Sequence, residues 1–147
     1  MSCYLRFAGA DLDVDAFLAA SGLAPHKVWR RGEARFPDKP QSRLQSTSGA
    51  TFLVSDADFS ALAQQCDDAL AILRTHEARL ARLASFAGVD GAMMDFGAET
   101  TPPHWASFAF PPELLTALGA IRVTLGLSVY PQDDVAPAAD ACVPPHP

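Results

Sequence analysis

Apolar and polar residues recur along this chain with two periods, and each period predicts a different kind of element. Near the start, Cys3-Tyr4-Leu5-Arg6-Phe7 alternates as a short strand should. Asp13 is then placed to cap a helix carrying Phe17 and Leu18, and Gly22 is a suitable left-handed terminator. The clearest helical pattern follows later. Phe59, Leu62, Ala63, Cys66, Ala69, Leu70 and Leu73 fall at three- and four-residue steps on one face. Gln64, Gln65, Asp67 and Asp68 lie mainly away from that face, and Asp56 or Asp58 is expected to cap the helix. His76 to Leu83 either extends it or forms a second helix, stopped by Gly88 and Gly91.

The last strand alternates cleanly. Ile121, Val123, Leu125, Leu127 and Val129 point one way, and Arg122, Thr124, Gly126, Ser128 and Tyr130 the other. Such a strand belongs to a sheet with one face on helices and one face open.

Between these elements the signals are turns and short strands. Residues 34–42, with Pro37 and Pro40, read as an exposed loop. Ser42 to Thr47 and Ala50 to Ser55 flank Ser48-Gly49 as a candidate hairpin. Ala92 to Phe96 and Trp105 to Phe110 read as two strands, and Pro111 and Pro112 open a helix with Leu114, Leu115 and Leu118, stopped by Gly119. The resulting order is β-α-β-β-α-β-β-α-β. Arg6-Phe7-Ala8 and Ser107-Phe108-Ala109 each precede a helix, a short match that hints at ferredoxin-like repeated strand–helix units. The expected fold is α+β: a single-domain two-layer sandwich with a mostly antiparallel or mixed sheet and helices on one face. It should occupy residues 1–131. Residues 132–147, rich in Pro, Ala and Asp, read as a flexible tail.

Composition narrows the function classes. With 147 residues, 49% of them hydrophobic, the chain suits one sizeable core. A net charge of −6 argues against nucleic-acid binding by phosphate neutralisation and permits a basic protein partner. Cys3, Cys66 and Cys142 are far apart, odd in number and without a CxxC pair, so neither a disulfide framework nor a thiolate zinc site is indicated. Arg6 and Asp11 interrupt the N-terminus before an apolar signal region could form, and no run approaches membrane-spanning length. The expectation is a cytoplasmic chain.

Motif by motif, catalysis finds little support. Asp95-Phe96-Gly97 matches a kinase tripeptide without any of its companion motifs. His76-Glu77 lacks the second histidine of a zincin, since Leu80 stands there. No glycine pattern suits a phosphate loop and no serine elbow is present, so no catalytic residue, metal or cofactor is expected.

Two candidate binding surfaces remain. Trp29 is followed by Arg30, Arg31, Gly32, Glu33 and Arg35, which reads either as a cationic patch for a carboxylate or phosphate or as a core-edge ring beside solvated charges. The open sheet face would carry Tyr4 and Arg6 with Arg122, Ser128 and Tyr130, joined by Trp105. Aromatics and arginines of this kind suit a protein–protein or homodimer face. The alternative is a small-molecule or enzymatic pocket formed by Arg30, Arg31, Glu33 and His104.

The residues Phe7-x-Gly9-x-Asp11-Leu12-Asp13, Leu23-x-Pro25-x-x-x-Trp29-x-x-Gly32-Glu33 and Pro112-Glu113-Leu114-Leu115 give the chain a resemblance to a family. From about Ser2 to Tyr130 it resembles the bacterial family catalogued as domain of unknown function 4279. Val14 stands where that family commonly has proline. The resemblance implies a small α+β cytoplasmic protein with no established activity and no catalytic residues to carry over. By analogy of size and charge, it is compatible with an immunity-type protein that neutralises a toxin.

Overall fold

A computed structural model describes residues 2–101 and 106–132. Its elements in chain order are β1 (Cys3–Gly9), α1 (Val14–Ser21), β2 (Lys27–Trp29), β3 (Ser48–Ser55), α2 (Leu62–Ala84), β4 (Gly91–Thr100), α3 (Pro112–Ala120) and β5 (Thr124–Pro131). The five strands form one sheet in the order β2-β3-β1-β4-β5. Every neighbouring pair is antiparallel except β4 and β5, which run parallel. The run β1-α1-β2-β3-α2-β4 therefore has the split βαβ arrangement of ferredoxin-like domains, with α3 and β5 appended at one edge.

Alternation on β1 decides which face is buried. Cys3, Leu5 and Phe7 turn to the helical layer and are fully or almost fully buried, whereas Arg6 is exposed on the other side. Phe7 packs on Phe17 of α1 with ring centroids 5.2 Å apart, and Phe17 meets Phe86 edge-on at 5.4 Å. Leu73 and Leu80 of α2 and Leu114 and Leu118 of α3 complete this core. Each such side chain contributes about 1.5–3 kcal/mol by leaving water.

The expected caps of α1 are present. The Asp13 carboxylate accepts from the Ala16 N–H at 3.0 Å, and Gly22 ends the helix at φ 61°. Helix α2 absorbs residues 76–83 into one element, with a kink at His76. It begins later than expected. Ala61 occupies the cap position, while Asp58 instead accepts from the Ser60 N–H in the preceding turn.

Several expectations are corrected. Ser48-Gly49 is not a hairpin turn, because both residues lie inside β3, which pairs with β1 and β2. Ser42 to Gln45 folds back on Glu33 to Phe36 instead. Residues 106–110 form no strand, so Ser107-Phe108-Ala109 is not a second copy of the β1 unit, and Trp105 lies outside the described residues. Gly119 is inside α3, whose cap is Ile121. Arg122 adopts φ 56° in the turn before β5 rather than sitting on the strand. Gln65, expected on the outer side of α2, is fully buried. The tail at 133–147 lies outside the described residues. Among the described residues, no helix is long and apolar enough to cross a membrane.

Candidate functional site

Register places Trp29 on the helix-free face of the sheet. Lys27 pairs with Thr51, and Thr51 with Arg6, so these three side chains emerge on one side in a row. Trp29, two residues on, shares that side and pairs with Gly49. Trp29 is 7% exposed, yet it belongs to no part of the helical core. Its burial comes from three contacts on the opposite face. The ring lies against Gly49, where an added Cβ would stand 2.3 Å from the indole and 2.4 Å from the Phe7 carbonyl. The Arg6 guanidinium covers the ring, 4.9 Å from its centroid. The indole Nε1 donates to Thr47 Oγ1 at 3.3 Å.

Residues 32–45 form an arm that lies beside this ring. At its base the Gly32 N–H donates to the Gln45 carbonyl at 2.9 Å and the Gln45 N–H to the Glu33 carbonyl at 2.8 Å. Further out, the Arg35 N–H donates to the Arg43 carbonyl at 3.0 Å, and the Ser42 hydroxyl accepts from the Phe36 N–H. Arm and sheet enclose a cleft of about 460 Å³ lined by Arg6, Lys27, Trp29, Arg35, Phe36 and Arg43, among others. Among the described residues, no Asp or Glu lines it. The two ion pairs among the described residues, Arg30–Asp15 and Arg31–Asp11, use none of its four cations.

The arginines adjacent to Trp29 in sequence are therefore not the ones around it in space. Arg30 reaches Asp15 of α1 at 2.6 Å, and Arg31 reaches the Ala10 carbonyl at 3.3 Å and Asp11 at 3.4 Å. Glu33 accepts from the Arg30 N–H at 3.1 Å and closes a tight turn. Arg30 and Arg31 are thus turned to exposed carboxylates, and Glu33 to the backbone of its own turn. Arg30, Arg31 and Glu33, expected around one pocket, do not line the Trp29 cleft. His104, the fourth member of that expected pocket, lies outside the described residues.

Elsewhere on the helix-free face, Tyr4 contacts the His26 ring at 5.0 Å, and Tyr130 stacks on Phe59 at 4.8 Å. The Ser128 hydroxyl donates to the Asp95 carboxylate, at 3.0 Å to one oxygen and 2.9 Å to the other. Cys3 and Cys66 are buried free thiols, and burial, the leading cause for each, pushes both above the ordinary thiol range. That is the reverse of an activated nucleophile. Among the described residues no group of three or more His, Cys, Asp or Glu is arranged to hold a metal ion.

Sequence reading missed Lys27, Phe36 and Arg43 as site members and placed Arg35 only in a run of charges. Their shared feature is proximity to Trp29 through strand pairing and arm folding, which no local pattern signals. Gln65 was missed as well. A lone glutamine near an apolar stripe gives no warning that its amide will serve β4.

A family model described as "Domain of unknown function (DUF4279)" matches residues 1–132, so the chain belongs to that family. No curated protein and no solved structure matches it.

Proposed function

We propose that this member of the DUF4279 family is a non-enzymatic binding domain that engages an acidic protein segment through the helix-free face of its sheet. The observation that carries this reading is the convergence of Arg6, Lys27, Arg35 and Arg43 on one cleft that no carboxylate lines among the described residues. Apolar side chains support it. Phe36 and Leu44 are more than half exposed at the cleft, and Leu53 and Met93 project from neighbouring positions of the same face. Aromatic residues, Met and Arg beside one another are the composition of interface cores. The net charge of −6 favours a basic partner at long range. Contact is governed by local chemistry instead, and here the local charge is positive.

Selection from a displayed random peptide library tests the reading. Wild-type protein should enrich acidic sequences containing an apolar residue, and a Lys27→Glu/Arg43→Glu variant should lose them. Failure to enrich, or equal enrichment by the variant, counts against it. A dimer in light scattering that Leu53→Asp dissociates would instead make the face a self-association surface.

A further inference from the structure

We propose that the cleft between the arm and the sheet binds a phosphate-class oxyanion, a compact group carrying two or more negative charges. The site is the same cleft that carries the docking surface, and the proposal names a distinct ligand chemistry for it.

The argument starts from charge. Arg6 and Lys27 approach from the sheet, Arg35 and Arg43 from the arm, and among the described residues no acid lines the space between them. Like charges held together raise the energy of the empty cleft, and a single carboxylate would answer only one of the four. A phosphate carries about −1.5 to −2 charges and three acceptor oxygens, so it can meet cations from both walls at once. Guanidinium forks match that geometry.

Neutral donors fit the same ligand. Thr47 and Thr51 line the cleft. Because Thr47 Oγ1 already accepts from the Trp29 indole, its own proton remains available to donate. Arg6 lies over Trp29, which restrains the guanidinium and leaves its N–H edge for an oxyanion. The cleft of about 460 Å³ exceeds what one phosphate fills and lies in the usual range for small-ligand sites. The bound group is therefore a diphosphate or a phosphate carried on a larger body.

The arm gives the site a second property. Its base is held by backbone hydrogen bonds, and the Arg35 N–H donates to the Arg43 carbonyl, so the two arginines face the cleft as a pair. Without an anion the two cationic pairs repel. With one between them they are bridged, and occupancy holds the arm against the sheet.

Calorimetric titration of the full chain at low ionic strength with pyrophosphate, a phosphoserine peptide and citrate tests this. Pyrophosphate, the phosphopeptide or both should bind, more tightly than citrate, with affinity falling steeply as salt is added. Whichever phosphate probe binds tells a small-molecule source from a phosphorylated chain. Arg35→Gln/Arg43→Gln should weaken binding by about tenfold or more, whereas Arg30→Gln should not change it. Tryptic cleavage after Arg35 and Arg43 should slow when the probe is bound. Absence of binding by both phosphate probes, citrate binding as tightly, or full affinity in the double variant would overturn the proposal. Enrichment of acidic peptides without phosphate binding would overturn this site and leave the docking surface standing; phosphate binding without peptide enrichment would do the opposite.

Discussion

The side-chain amide of Gln65 closes on both backbone polar groups of Gly97, its Nε2 donating to the carbonyl at 2.8 Å and its Oε1 accepting from the N–H at 3.2 Å. The same Nε2 donates to the Asp58 carbonyl at 3.0 Å. One buried residue thus joins the start of α2, the turn before it and the middle of β4. Gly97 N–H also donates to the Ser2 carbonyl at 2.6 Å, so the N–H keeps a partner if Gln65 is lost, whereas the Gly97 carbonyl loses the amide.

Replacing Gln65 by Leu should therefore destabilise the fold by about 1–3 kcal/mol, the cost of withdrawing the amide from the buried Gly97 carbonyl, while the Asp58 carbonyl keeps the Ala61 N–H. Gln65→Glu should be no better, because a carboxylate facing two carbonyls cannot donate to them. Denaturant melts of both variants check this, and a midpoint equal to wild type in either would contradict the arrangement.

Trp29 is covered by Gly49, Arg6 and Thr47 rather than by the helices. Trp29→Ala should cost about 3–5 kcal/mol, and a loss below about 1 kcal/mol in a denaturant melt would show that the ring is open to solvent. Gly49→Ala should cost about 1–3 kcal/mol by overpacking, since its Cβ would meet the Phe7 backbone, which cannot move aside.

The thiols predict a pH dependence. Cys3 and Cys66 titrate higher in the folded chain than in the unfolded one, chiefly because burial disfavours the thiolate. The folded state therefore holds protons that the unfolded state releases above about pH 8.5. Stability from each thiol is complete below that pH and declines above it, at up to about 1.4 kcal/mol per pH unit. The difference in unfolding free energy between wild type and Cys3→Ala should shrink as pH rises through this window. A constant difference would contradict the burial of Cys3. Both thiols should also resist alkylation until the protein unfolds.

The arginines nearest Trp29 in sequence provide a contrast with those nearest in space. Arg30→Gln should leave the denaturation midpoint and ligand binding almost unchanged, because its partner Asp15 is an exposed surface carboxylate. Lys27→Glu should also leave the midpoint nearly unchanged, yet abolish peptide enrichment. Parallel melts and binding assays separate the two, and similar binding losses for both would return the site to the Arg30–Glu33 turn.

The linear pattern was sufficient for the local part of the fold. Helical spacing around Cys66, Ala69 and Leu73, the Asp13 and Gly22 caps and the alternation of β1 each depend on residues within a turn or two. Short-range sterics and hydrogen bonding enforce such patterns wherever the segment ends up. Which strands became neighbours was settled only when the elements packed together. Insertion of β3 between β1 and β2 moved Ser48-Gly49 from an apparent turn into a strand and set Trp29 over Gly49. Packing buried Gln65 where β4 offered a carbonyl, and it gathered Arg6, Lys27, Arg35 and Arg43 from separate segments around one cleft. Long-range pairing follows from how all elements share one core, and no window of neighbouring residues encodes it. The cationic cleft in an acidic chain is a product of that pairing, and for that reason it left no signature in the linear pattern.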